Sequence, residues 1–188
     1  MNDVIQSINQ CDPLQIVIAG MAGQGAVFSA TLLAEAAAAS GHHVAQTARS
    51  SAAVRSGPSI AHVSISSAPI DFPFIENADI LVSLTPEEMP AVTVRRDGII
   101  LFAPPENNRF GVTDALRVPI APMSVPASMG LDVTNMVMVG VLTSLLRQLP
   151  ENRIRERIRT FPRHAIARDL NAFEHGQRAA DAMRRQTR

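Results

Sequence analysis

The residues best suited to chemistry are Gly20-Met21-Ala22-Gly23-Gln24-Gly25. They follow the apolar run Ile16-Val17-Ile18-Ala19 and precede a segment rich in Ala and Leu. A glycine turn between a strand and a helix lets backbone approach a ligand closely, and the first N–H groups of the helix attract anions. In the dinucleotide fingerprint three glycines share this work, and Gly20-x-Ala22-x-x-Gly25 supplies two of them. An acid should also close the second strand to hold a ribose, yet Val44–Thr47 runs into Ala48 and Arg49. A phosphate-cradling Gly-x-x-x-x-Gly-Lys loop is excluded, because the chain contains no Lys. Two readings stay open: an anion-binding helix start, and a turn whose glycines serve packing alone.

The other chemical side chains carry less. His42-His43 sits at a helix end as a capping or exposed pair, and His62 falls on the polar side of an alternating strand, a place for a hydrogen-bonded histidine. Glu87-Glu88 reads as a helix start behind Thr85-Pro86. No Ser, His and Asp form a nucleophile elbow. One cysteine, Cys11, and five histidines supply neither a disulfide nor the ligands of an iron–sulfur or zinc site, so no metal is expected on this chain.

The elements that must position the turn are legible from periodicity. Strand 15–19 leads into a helix from Ala26 to Ser40, stopped by Gly41. Val44–Thr47 is expected as the second strand of a β-α-β unit, and Ala48–Ser59 as a loop holding Arg49 and Arg55. Ile60–Ser66 alternates as a strand with one polar face, and Asp79–Leu84 reads as a buried strand. Arg96-Asp97-Gly98 is turn chemistry feeding the strand Ile99–Phe102, and Leu116–Ile120 is a short edge strand. Ala121–Gly130 reads as a loop, and helices follow over Asn135–Leu149, Glu151–Phe161 and Ala165–Arg185. This order predicts a three-layer α/β/α Rossmann-like domain with a parallel or mixed sheet and C-terminal helices. The 188 residues are read as a single domain: a flexible lead-in over 1–14, an α/β core over 15–149 and Arg-rich C-terminal helices over 150–188.

Net charge is zero, but residues 1–146 hold 6 Arg against 12 acids while residues 147–188 hold 11 Arg against 5. The basic end lacks aromatic residues apart from Phe161 and Phe173 and includes acids throughout, which argues against nucleic acid and for a solvated face or an acidic partner. No apolar run approaches the ~20 residues of a membrane span, and the polar N-terminus is not a signal peptide, so the chain reads as cytoplasmic.

Six blocks, Gly20 to Gly25, Arg55-Ser56-Gly57, Ser66-x-x-Pro69-Ile70, Ala78-Asp79-Ile80-Leu81-Val82, Asn135-x-x-x-x-Gly140 and Asn171-Ala172-Phe173-x-x-Gly176, occur in a familiar order. Over about residues 15–178 the pattern resembles the gamma subunit or gamma domain of the 2-oxoacid:ferredoxin (acceptor) oxidoreductases, the pyruvate, 2-oxoglutarate, 2-oxoisovalerate and indolepyruvate enzymes. It departs at Ala22, where Gly is usual, and at Ser56, where a second Gly is usual. The resemblance implies one subunit of a multichain enzyme that performs thiamine diphosphate-dependent oxidative decarboxylation to an acyl-CoA, passing electrons to ferredoxin or another acceptor. It implies that thiamine diphosphate, Mg and iron–sulfur clusters reside on partner thiamine-binding alpha/beta-type and ferredoxin-like subunits, with no cofactor bound by this chain alone. By the same resemblance Gly23, Gln24, Gly25, Arg55 and Gly57 are ligand or partner contacts: backbone donors, an amide and a cation for phosphate or carboxylate, with coenzyme A among the ligands. No catalytic residue is expected on the chain. It should be inactive alone and homodimeric when isolated. The alternatives are a stand-alone nucleotide- or anion-binding regulatory module and a purely structural assembly subunit.

Overall fold

The structure, a computed structural model, describes residues 1–50, 57–85, 92–103, 114–120, 133–161 and 165–186. Arg55, the expected helix start at Pro86 and the expected loop 121–130 lie outside these residues.

Helix α1 spans Asn2–Ile8, where the sequence suggested an unstructured lead-in. Its Ile5 and Ile8, three apart, share a face and are buried, which is the amphipathic spacing in its shortest form. Asn9 then ties the segment down: its side-chain amide donates 2.8 Å bonds to the carbonyls of Ile5 and Leu145, and its Oδ1 accepts from the Arg147 N–H.

Strand β1 spans Leu14–Met21, and α2 follows over Ala26–Ala38. As expected, Gly41 ends that helix in the left-handed region, at φ 90°. Strands β2 (His43–Ser50), β3 (Pro58–Ser66), β4 (Asn77–Ser83), β5 (Thr93–Phe102) and β6 (Leu116–Pro119) complete a six-stranded sheet of order β2-β3-β1-β4-β5-β6. Helices α3 (Thr134–Leu145), α4 (Glu151–Thr160) and α5 (Ile166–Gln186) follow. The sheet is mixed, β3 running antiparallel to both neighbours and β1, β4, β5 and β6 running parallel, and the whole is a three-layer α/β fold.

The β-α-β unit is present: β1 and β2 run parallel in one sheet with α2 connecting them. Antiparallel β3 lies between the two strands, because its apolar Ala61, Val63 and Ile65 serve a central strand while the half-exposed β2 serves an edge. Two expectations are corrected. Strand β2 continues through Ser50, into the stretch read as loop. Arg96-Asp97-Gly98 does not precede β5 but lies inside it, at a register jump in which Ala78 pairs Val94 and Ile80 pairs Ile99. Buried Asp79 holds that irregularity, accepting from the Gln15 N–H at 2.7 Å and pairing with Arg95 Nε at 3.0 Å. The same carboxylate, after burial itself, pushes the nearby Cys11 thiol up to about 11, so the cysteine is protonated and inert.

The α-helical side of the sheet carries Ile16, Ile18, Val63, Ile80, Val82, Ile99 and Leu101 against α2 and α3. Helix α3 is buried nearly all round. It crosses α5 at backbone contact: a Cβ on Gly140 would stand 2.0 Å from the Phe173 carbonyl oxygen, and one on Gly176 2.0 Å from that of Val137. Much of the basic end is internal glue. Arg155 reaches Glu151 at 2.6 Å, Glu174 at 2.7 Å and Gln177 at 3.2 Å, and Arg157 Nε reaches Glu35 of α2 at 2.7 Å.

Candidate functional site

The glycine turn is closed by its own residues. Gln24 Oε1 accepts from the Met21 N–H at 2.7 Å, the Gln24 N–H donates to the Met21 carbonyl at 3.0 Å, and the Ala22 N–H donates to the Gly57 carbonyl at 2.9 Å. Gly57 therefore joins the turn through its backbone. Gly23 and Gly25 both adopt left-handed backbone, φ 94° and 83°, which ordinary residues reach at a cost of about 1–2 kcal/mol. Nothing lies within 4 Å of the place where a Gly23 Cβ would stand, so that side is open. Gly25 is the residue before α2, and its carbonyl accepts the first helical bond from Ser29.

The fold adds a residue that sequence spacing could not connect to the turn. Asn135, at the start of α3, is 3% exposed, and a Cβ on Gly25 would stand 2.4 Å from its Nδ2. Its Nδ2 donates to Ser29 Oγ at 3.3 Å, and its Oδ1 has no hydrogen-bond partner. A buried acceptor left alone costs about 1–3 kcal/mol, so this is a place where an external donor is welcome. The beginnings of α2 and α3 thus converge beside Gly25. The only sign in the sequence was that Asn135 opens one of the recurring blocks; its distance along the chain gave no hint of contact.

The arrangement offers the uncapped start of α2 for a negative charge and one buried side-chain carbonyl, Asn135 Oδ1, for an N–H donor. It does not reproduce a dinucleotide site. Arg49, the cation nearest the expected ribose position, pairs with Ile60, which pairs with Ala19, so two strand spacings, roughly 10 Å, separate it from β1. His62 is structural: its Nδ1 accepts from the Ile75 N–H at 3.3 Å, and burial, then Arg49, lowers its pKa. Among the described residues no three His, Cys, Asp or Glu side chains gather as a metal site, and no helix is long and apolar enough to cross a membrane.

This architecture is shared with known oxidoreductase chains. It superposes with a TM-score of 0.74 on the gamma subunit of a keto/oxoacid ferredoxin oxidoreductase from Geobacter sulfurreducens, at 22% identity, covering 92% of this chain and 98% of that one. It also matches a 2-oxoglutarate:ferredoxin oxidoreductase from Magnetococcus marinus, solved with 2-oxoglutarate, coenzyme A and succinyl-CoA bound, with a TM-score of 0.75 and 23% identity. There the match covers 92% of this chain but 32% of the other. Residues 15–179 match the pyruvate ferredoxin/flavodoxin oxidoreductase family, and the chain belongs to it. Among curated relatives it is 31% identical to the 2-oxoglutarate synthase subunit KorC of Archaeoglobus fulgidus, over 88% of this chain and 89% of that one. It is 28% identical to the KorC subunit of Methanothermobacter thermautotrophicus, over 87% and 93%. The chain is thus a gamma-type subunit of a 2-oxoacid:ferredoxin oxidoreductase.

Proposed function

We propose that this chain completes a cytoplasmic oxidoreductase that decarboxylates 2-oxoglutarate, forms its acyl-CoA and passes electrons to ferredoxin or a similar acceptor. The observation that carries the reading is the near full-length similarity to subunits named for 2-oxoglutarate synthase. Thiamine diphosphate, Mg and iron–sulfur clusters belong on companion subunits, of thiamine-binding and ferredoxin-like type, and this chain is inactive without them. In isolation it forms a homodimer.

Its own contribution is a contact to coenzyme A at the glycine turn. The residues fit such a ligand: the start of α2 suits a phosphate, and the orphaned Asn135 Oδ1 suits an amide N–H of the pantetheine arm. Gly23 and Gly25 supply backbone and Gln24 and Gly57 hold the turn closed, while Arg55 is assigned as the cation for the ligand's phosphate on the family resemblance alone. When bound, coenzyme A supplies the thiol that takes the acyl group. The chain's residues orient its polar arm.

Reconstitution tests the reading. Companion chains of the same source, purified without this one, should show little coenzyme A-dependent reduction of a dye by 2-oxoglutarate, and adding this chain should restore it. Asn135→Ala should raise the KM for coenzyme A more than that for 2-oxoglutarate. Equal changes in both would count against the coenzyme A contact.

A further inference from the structure

Phe72 and Phe74 are 63% and 55% exposed, and they are the only large apolar side chains so exposed among the described residues. Their rings meet edge to face, with centroids 5.4 Å apart. Aromatic pairs of this size are rarely left in water without a reason, and they dominate the energetics of protein interfaces.

The pair is held in place. It lies in the connection between β3 and β4, where Pro69 and Pro73 restrict the backbone and Ile75, 3% exposed, anchors the segment. Ile75 packs on Val17, Leu81 and Ile100, the sheet face opposite α2, and its N–H donates to His62. A preorganised aromatic projection loses little entropy on binding. Asp71 and Glu76, both exposed, flank it.

Those two acids select the occupant. In a two-fold contact between copies of this chain the same patch meets itself, and acids would face acids. An anionic lipid surface would repel the flanks. We propose that the Phe72–Phe74 projection docks into an apolar pocket, rimmed by basic side chains, on a companion subunit of the oxidoreductase. This rests on the proposed function, since it needs such companions to exist.

The test is co-expression of the chain with its thiamine-binding and iron–sulfur companions, followed by measurement of the dissociation constant of the complex. Phe72→Ser and Phe74→Ser should each weaken assembly about 30-fold, the loss typical of an interface hot spot. Because both side chains are exposed, the variants should unfold at the same urea concentration as the unchanged chain. Asp71→Arg with Glu76→Arg should also weaken assembly and should reverse the effect of salt on it. Unchanged chains that never assemble with the companions would overturn the subunit reading itself. Assembly that survives both Phe variants at full strength would overturn the docking surface alone. Loss of self-association by those variants, with companion binding intact, would assign the surface to a second copy and refute the proposal.

Discussion

Replacing Gly25 by Ala tests whether Asn135 packs against the glycine turn. Two costs are readable from the structure. The left-handed backbone at φ 83° charges a side chain about 1–2 kcal/mol. The new Cβ would also stand 2.4 Å from Asn135 Nδ2, inside a packed region, and relieving such overpacking costs about 1–3 kcal/mol. Gly25→Ala should therefore destabilise the chain by about 2–5 kcal/mol. Asn135→Ala alone gives up a long 3.3 Å bond to Ser29 but also removes an unpartnered buried acceptor, so its net effect is about 1 kcal/mol or less. In the double variant the clash is gone and the backbone strain remains, and about 1–3 kcal/mol of the Gly25→Ala loss should return. Urea unfolding of the four proteins of this cycle, with the denaturant slopes compared first, measures that coupling. Effects that add to within about 0.5 kcal/mol would refute the contact and leave the converging helix starts without a shared residue.

Other changes follow from the same geometry. Gly140→Ala or Gly176→Ala gains about 1 kcal/mol of helix propensity but forces α3 from α5 at a 2.0 Å contact with backbone, where nothing can rotate away. A net loss of about 2 kcal/mol, or about 4–8 °C in Tm, is expected, and an unchanged Tm would contradict the crossing. For His62, burial and Arg49 depress the folded pKa, so as pH falls below about 6.5 the unfolded chain takes up the proton first and stability declines. His62→Gln should flatten the stability profile between pH 7 and 5, and an acid-side loss as steep as before would show that other groups govern it.

The fold was readable in the sequence where one residue pattern served one environment. Ile16–Ala19, the Ala-rich α2 with Gly41 behind it, and the Arg-laced α4 fell where periodicity put them. The edge strand at Leu116 did as well. What the sequence did not reveal has physical causes. Strand order is set by which apolar faces match across 15 or more residues, so nothing local said that β3 would insert between β1 and β2. Arg96-Asp97-Gly98 has turn composition but sits in a bulge that buried Asp79 and Arg95 stabilise across two strands. Ile5 and Ile8 form only one turn's worth of apolar face, too little to reveal α1.

The site was half visible. Gly23, Gln24 and Gly25 announce a turn at a helix start, and the structure shows Gln24 spending its carbonyl on the Met21 N–H to close it. Asn135 was hidden, because a side chain more than a hundred residues away meets Gly25 only through the packing of α3 beside α2. Gly140 and Gly176 stood out as members of the recurring blocks, and the α3–α5 crossing gives those blocks a structural meaning independent of any ligand.

The most direct measurement is steady-state dye reduction by 2-oxoglutarate and coenzyme A, run with the companion chains alone, with this chain alone and with all together. The account predicts activity only in the complete mixture. Turnover by this chain alone, or full turnover by the companions without it, would contradict it.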